Sequence, residues 1–276
     1  MPKPNATDAP FVRFSLIGLT FLFFIAFIFM PLALVFMQAF EKGWQLYLAA
    51  ITDPYSIAAI KLTLRTVAVV VPLNTIFGIT AAWALSKFNF RGKAILKSLL
   101  DIPFAVSPVI AGLIFVLLLG SRSPLGQWLG EHGIAIIFST PGIIIATLFV
   151  TLPFVVRELI PLMEALGREE EEAAMTLGAK GWQIFERVTL PNITWGIIYG
   201  MILCGARAIG EFGAVSVVSG HIRGMTNTVP LHVEILYSEY NVTAAFSVAS
   251  ILVVLALTTV AAKSVMEQRL HQSETL

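Results

Sequence analysis

Six long apolar runs, near residues 14–40, 66–86, 99–119, 134–156, 193–219 and 242–262, alternate with shorter polar stretches along the chain. Each is about as long as a helix needs to be to cross a hydrocarbon layer of ~30 Å, which takes ~20 residues at ~1.5 Å of rise each. The runs are continuous and lack the strict in-out alternation of barrel strands, so helices, which satisfy their own backbone in lipid, fit them and strands do not. The pattern predicts an all-α, polytopic membrane protein of about six transmembrane helices. The first run is too long for the apolar part of a signal peptide, and Phe40, Glu41 and Lys42 after it lack a small-x-small cleavage pattern, so it reads as a retained anchor.

Composition agrees with that reading: 57% of the 276 residues are hydrophobic, only 13% are charged, and mean hydropathy is +0.84. A soluble domain needs a polar surface that this chain cannot supply. A net charge of +1 without basic or acidic blocks gives no footing for nucleic-acid binding. The lone Cys204 excludes an internal disulfide, and His132, His221, His232 and His271 are too scattered for a zinc site, so no metal is expected.

Basic residues set the expected orientation. With the N-terminus inside, twelve fall on the cytoplasmic side: Lys3, Arg13, Lys87, Arg91, Lys93, Lys97, Arg157, Arg168, Lys180, Arg187, Lys263 and Arg269. Lys42, Lys61, Arg65, Arg122 and Arg223 fall outside, and Arg207 lies within a span. This asymmetry predicts two cytoplasmic termini. The expected organisation is a cytoplasmic arm at 1–13, a membrane domain at 14–262 and a cytoplasmic tail at 263–276. Pro31, Pro72, Pro103, Pro108, Pro141 and Pro153 interrupt the spans, each removing a backbone donor. Between Asp101 and Pro108 the two prolines stand beside polar side chains at membrane depth, as in transport paths.

The chain contains no GxxxxGK[ST] phosphate loop, and Gly92-Lys93 is followed by Ala94. Nor does it hold a Gly-x-Ser-x-Gly elbow or an HExxH helix, so an enzyme reading finds no support. The longest predicted cytoplasmic loop, 157–192, is instead informative. Leu162, Leu166, Ala173 and Leu177 recur at helical spacing around the acidic run Glu169–Glu172, Gly178 is placed to end that helix, and Pro191 is expected to separate a second short helix, about 180–188, from the next span.

Glu172, Ala173 and Ala174, followed at fixed spacing by Gly178, Val188, Leu190 and Pro191, resemble the EAA loop of ABC importer permeases, with valine for the usual isoleucine. The passages Leu100–Gly112, Arg207–Val215 and Ser219–Tyr237 are similar to sulfate/thiosulfate permease subunits, and the first also to molybdate permeases. This resemblance implies a type I-like importer fold in the plasma (inner) membrane. The partners it implies are an ATPase dimer that handles ATP and Mg, a second related permease and an extracytoplasmic sulfate-binding protein. It further implies that Glu172, Ala173, Ala174, Gly178, Trp182, Leu190 and Pro191 serve the coupling to the ATPase. No cofactor is expected in this chain.

Isolated in lipid, Arg207 or Glu211 would cost ~2.5–3.5 kcal/mol each, and four residues apart on a helix they can pair. Two readings stand: helix cohesion, or an anion path in which Arg207 meets the substrate while Glu211 keeps the site from trapping a dianion. Asp101, Ser107 and Ser216 join that candidate path. A molybdate or tungstate permease is the alternative within the class, and an ion-coupled secondary carrier the alternative outside it.

Overall fold

A computed structural model describes residues 10–273 of the chain. Most of the expected N-terminal arm and the last three residues of the expected tail lie outside the described residues. The first span combines α1 (Pro10–Phe24) and α2 (Met30–Phe40) through a π-helical turn at Ile25–Phe29. A short α3 (Trp44–Thr52) precedes α4 (Pro54–Lys87), which is 34 residues long. Next come α5 (Lys93–Ala105) and α6 (Pro108–Leu119), then α7 (Pro124–Glu131) and α8 (Thr140–Ala165). The polar loop holds α9 (Glu169–Thr176) and α10 (Gly181–Ile184), and a second π turn at Phe185–Thr189 leads into α11 (Leu190–Ile209). α12 (Gly213–Val218), α13 (Val229–Ser238) and α14 (Val242–Ser273) complete the described chain.

The core is the packing of α4, α8 and α11. Lipid tails are as apolar as leucine, so close backbone approach and interhelical hydrogen bonds hold membrane helices together. Small residues permit that approach: a Cβ on Gly78 would stand 2.6 Å from Val155 Cγ1, and one on Gly200 3.2 Å from Val155 Cα. Halfway along these helices the buried Asn74 Nδ2 donates to Thr151 Oγ1 at 2.8 Å and Leu148 O at 3.2 Å, with Cys204 Sγ at 3.7 Å. The cysteine is a small buried residue at a polar node.

Two of the expected continuous spans are broken. The run at 99–119 bends by 106° between α5 and α6. Val106 and Ser107 are extended there (ψ 132° and 133°), because Pro108 disfavours helical backbone in the residue before it. The run at 193–219 breaks between Ile209 and Gly213, where Phe212 leaves the helical region. Among the described residues, five helices or helix series remain long and apolar enough to cross alone, at Val12–Phe40, Pro54–Lys87, Thr140–Ala165, Gly181–Ile209 and Val242–Ser264.

Contacts decide whether the bent pair is a sixth crossing. Lys87, at the end of α4, touches Gly167 and Glu171 just beyond α8, and Lys97 in α5 reaches Glu164 of α8 at 3.1 Å. The end of α4, the start of α5 and the end of α8 therefore share one face. Since α8 itself crosses, it begins on the opposite face, and the chain can only have reached that face through α5 and α6. The pair then makes one crossing, and the described residues give six.

Three further boundaries differ from the sequence expectation. α4 begins twelve residues before the expected 66, because Asp53 caps it by accepting from the Tyr55 and Ser56 amides at 2.9 and 3.3 Å. α8 runs on to Ala165, so Arg157 belongs to the span, and Gly167 (φ 67°) separates Leu162 and Leu166 from Ala173 and Leu177. Pro191 does not detach α10 from the span. In the π turn Leu190 N donates to Phe185 O, and this wider turn accommodates the proline that follows. The same device stands before Pro31, where Met30 N donates to Ile25 O.

Candidate functional site

The breaks in the two interrupted spans meet. A Cβ on Gly213 would stand 2.9 Å from Pro108 Cβ, and one on Gly112 2.8 Å from Ala214 O, so α12 lies directly on α6. Arg207 is three residues past Cys204 and hence ~4.5 Å beyond the Asn74 level along the helix. Glu211 occupies the break itself. Its Oε1 accepts the Ala214 amide at 3.0 Å, capping α12, while Oε2 stands 2.7 Å from Arg207 Nη1. The pairing expected of these two residues is present, although not along one continuous helix. The Glu211 side chain is 1% exposed and that of Arg207 34%, so the carboxylate is sealed in and the guanidinium keeps an open side.

The other candidate path residues are placed less uniformly. Asp101 pairs with Arg157, whose Nε donates to Oδ1 at 2.9 Å while its guanidinium carbon stands 4.5 Å above the Phe104 ring. Both line a cleft of about 240 Å³ between α5 and α8. Ser107 is exposed in the bend between α5 and α6. Ser216 donates its hydroxyl proton to Gly213 O at 2.9 Å, a local backbone bond. Arg157 was not foreseen at the site, because 56 residues of chain separate it from its partner.

On the face shared by α4 and α8, the acidic run folds as the first turn of α9, where carboxylates complement the helix dipole. Glu171 takes the Lys87 ammonium at 3.1 Å and the Thr189 hydroxyl at 2.6 Å, and Glu170 accepts from Asn192. These bonds clamp α9 to the ends of α4 and α11. Gly178 (φ 85°) closes α9 with Ala179 N donating to Ala174 O at 3.1 Å, and Gln183 Oε1 accepts the Lys180 amide to start α10. Glu172, Ala173, Gly178 and Trp182 are left exposed, together with Met175 and Leu177, the last at 89%. Ala174 and Leu190 are half-buried and Pro191 is exposed.

Six crossings among the described residues, a clamped polar loop with exposed apolar side chains on one face and a charge pair at a span break are the features of a membrane-embedded transporter subunit. The chain belongs to the family described as binding-protein-dependent transport system inner membrane component, which matches residues 74–272. It is a permease subunit of an ABC importer and not its ATPase. It is 50% identical over 262 residues to the sulfate transport system permease protein CysW of Escherichia coli K12, covering 95% of this chain and 90% of that protein. CysW of Synechocystis is 51% identical over 258 residues, covering 94% of each chain. CysT of Escherichia coli K12, also a sulfate transport system permease protein, is 36% identical over 241 residues, covering 87% of each. Among solved structures, a bacterial alginate ABC transporter in complex with its alginate-bound periplasmic protein contains a chain that superposes with a TM-score of 0.77. That match covers 96% of both chains at 18% identity, a likeness of fold. The resemblance read from residues 172–191, 100–112, 207–215 and 219–237, to ABC importer permeases and within them to sulfate permease subunits, is borne out.

Proposed function

We propose that this subunit forms half of a transmembrane pathway that takes sulfate or thiosulfate into the cytoplasm. The other half is a related permease of the CysT kind, an extracytoplasmic sulfate-binding protein delivers the anion, and an ATPase dimer binding ATP and Mg sits beneath the loop of residues 166–189. The membrane is the plasma (inner) membrane and both termini are cytoplasmic, in line with the distribution of lysine and arginine. Half-identity to CysW proteins over nearly the whole chain supports the substrate class.

The observation that carries a route for the anion is the half-open Arg207 held by a sealed Glu211 at the meeting of two broken spans. A pathway must attract its ion and still release it. Arg207 supplies charge-assisted donors, and Glu211 removes the net charge that would hold a dianion. Asp101, Ser107 and Ser216 lie in the same broken elements and complete the proposed lining. Exposed Ala173, Gly178 and Trp182, with Glu172, present the coupling surface, while Ala174, Leu190 and Pro191 fix its angle to the span. ATP acts by differential contact with that surface, shifting the population between outward- and inward-facing states.

Vesicles holding this chain, its partner permease and the ATPase test the reading through uptake of radiolabelled sulfate. Uptake is expected to need both binding protein and ATP, and to resist competition by molybdate. Uptake driven by a proton gradient without ATP, or preference for molybdate, would overturn it.

A further inference from the structure

On the face opposite the coupling loop, a cavity of about 520 Å³ opens between α3, the start of α4, α13 and the start of α14. Three spans end at it: α2 stops at Phe40, two residues before Lys42, α4 starts at Pro54, and α14 at Val242. Phe40, Trp44 and Tyr47 stack beside it, with ring centroids 4.4–5.6 Å apart, and Trp44 is exposed. Such an aromatic group at span ends marks headgroup depth. One wall is apolar, formed by Leu46, Ala49, Ala50 and Leu236, and the rest carries two cations, Lys42 and Arg223, and two anions, Asp53 and Glu239.

Each charge retains capacity for a ligand. Asp53 commits Oδ2 to capping α4, which leaves Oδ1. Arg223 pairs with one oxygen of Glu239, and Lys42 has no carboxylate within 4 Å among the described residues. At the base lies His232, 2% exposed, with Nε2 3.1 Å from Ser56 Oγ and Nδ1 without a partner. A free dianion would meet two carboxylates and a free cation two basic groups, whereas a dipolar ligand meets complementary charge at both ends.

We infer that this cavity binds the headgroup of a zwitterionic phospholipid, with its phosphate against Lys42, its ammonium against Asp53 and Glu239, and its glycerol region along Leu46 and Ala50. Neither the substrate of the importer nor the role of Arg207 enters this inference. The full-length chain, purified with its partner subunits in mild detergent, is offered equal amounts of phosphatidylethanolamine and phosphatidylglycerol of the same acyl chains, and bound lipid is read by native mass spectrometry. Phosphatidylethanolamine should be retained in preference. Lys42→Ala should lower its retention about five-fold, as for one partly exposed charge contact. Leu46→Trp, which fills the apolar wall, should lower it as well, while Ser121→Ala should not. Equal retention of the two lipids, preference for phosphatidylglycerol, or unchanged retention in both cavity variants would overturn the assignment.

Discussion

Glu211 has two partners of different kinds, and they make its substitutions distinguishable. Its Oε1 caps α12 and its Oε2 balances Arg207, so exchanging the two charges would not preserve the arrangement, because arginine at 211 cannot accept from Ala214 N. Glutamine keeps the acceptor and alanine removes it. Glu211→Ala should therefore lower the amount of assembled protein more than Glu211→Gln, by the ~1–3 kcal/mol of an orphaned buried amide. Equal abundance of the two variants in membranes would show that the cap contributes nothing. Arg207→Lys separates cohesion from transport, since lysine retains the charge but loses the planar fork that grips an oxyanion at two points. We expect uptake per assembled complex to fall about ten-fold with abundance unchanged, the loss of one bidentate charge-assisted contact. Wild-type uptake by that variant would leave Arg207 a helix-pairing residue only.

At the scale of elements, the coupling loop depends on one backbone conformation and one clamp. Gly178 has φ of 85° with open space around its Cα, so the constraint is conformational and not one of volume. Asparagine tolerates that region and proline cannot enter it. Gly178→Asn should therefore keep ATP-driven transport within about two-fold, whereas Gly178→Pro should abolish most of it while the spans still insert. Equal transport by the two would remove the bend from the mechanism. Lys87→Ala leaves Glu171 without its cation and should release α9 at a cost of ~1–3 kcal/mol, read as faster amide exchange over 169–177. Exchange as slow as in the unaltered protein would show that Thr189 and Asn192 suffice. The glycine was legible in the sequence because its signal is local: a helix pattern ends and a left-handed residue follows. The clamp was not, because Lys87 and Glu171 are 84 residues apart and nothing in either neighbourhood names the other. Pro191 was legible as a residue and misleading as a boundary, since a π turn lets the helix continue past it.

For the whole molecule, hydropathy supplies the number of crossings but not their shape. Runs 99–119 and 193–219 both read as apolar spans, yet both break, the first where Pro108 forces its predecessor out of helical backbone and the second where Gly210 and Gly213 flank the bend. Breaks of this kind carry free backbone groups and are tolerated where protein, not lipid, surrounds them, which is why the two meet at Pro108 and Gly213. In the proposed orientation, with the coupling loop inside, six crossings put Ser121, just past the bent pair, on the outer face and Leu177 on the inner one. The sole native cysteine, Cys204, is fully buried, so a single introduced cysteine reports its own side. Ser121→Cys in intact cells should react with a membrane-impermeant maleimide, and Leu177→Cys should react only after lysis. If the bent pair were instead a hairpin returning to its own face, Ser121→Cys would be protected in intact cells along with the basic cluster from Lys87 to Lys97. Labelling of Leu177→Cys without lysis would invert the molecule and remove the loop from the ATPase side altogether.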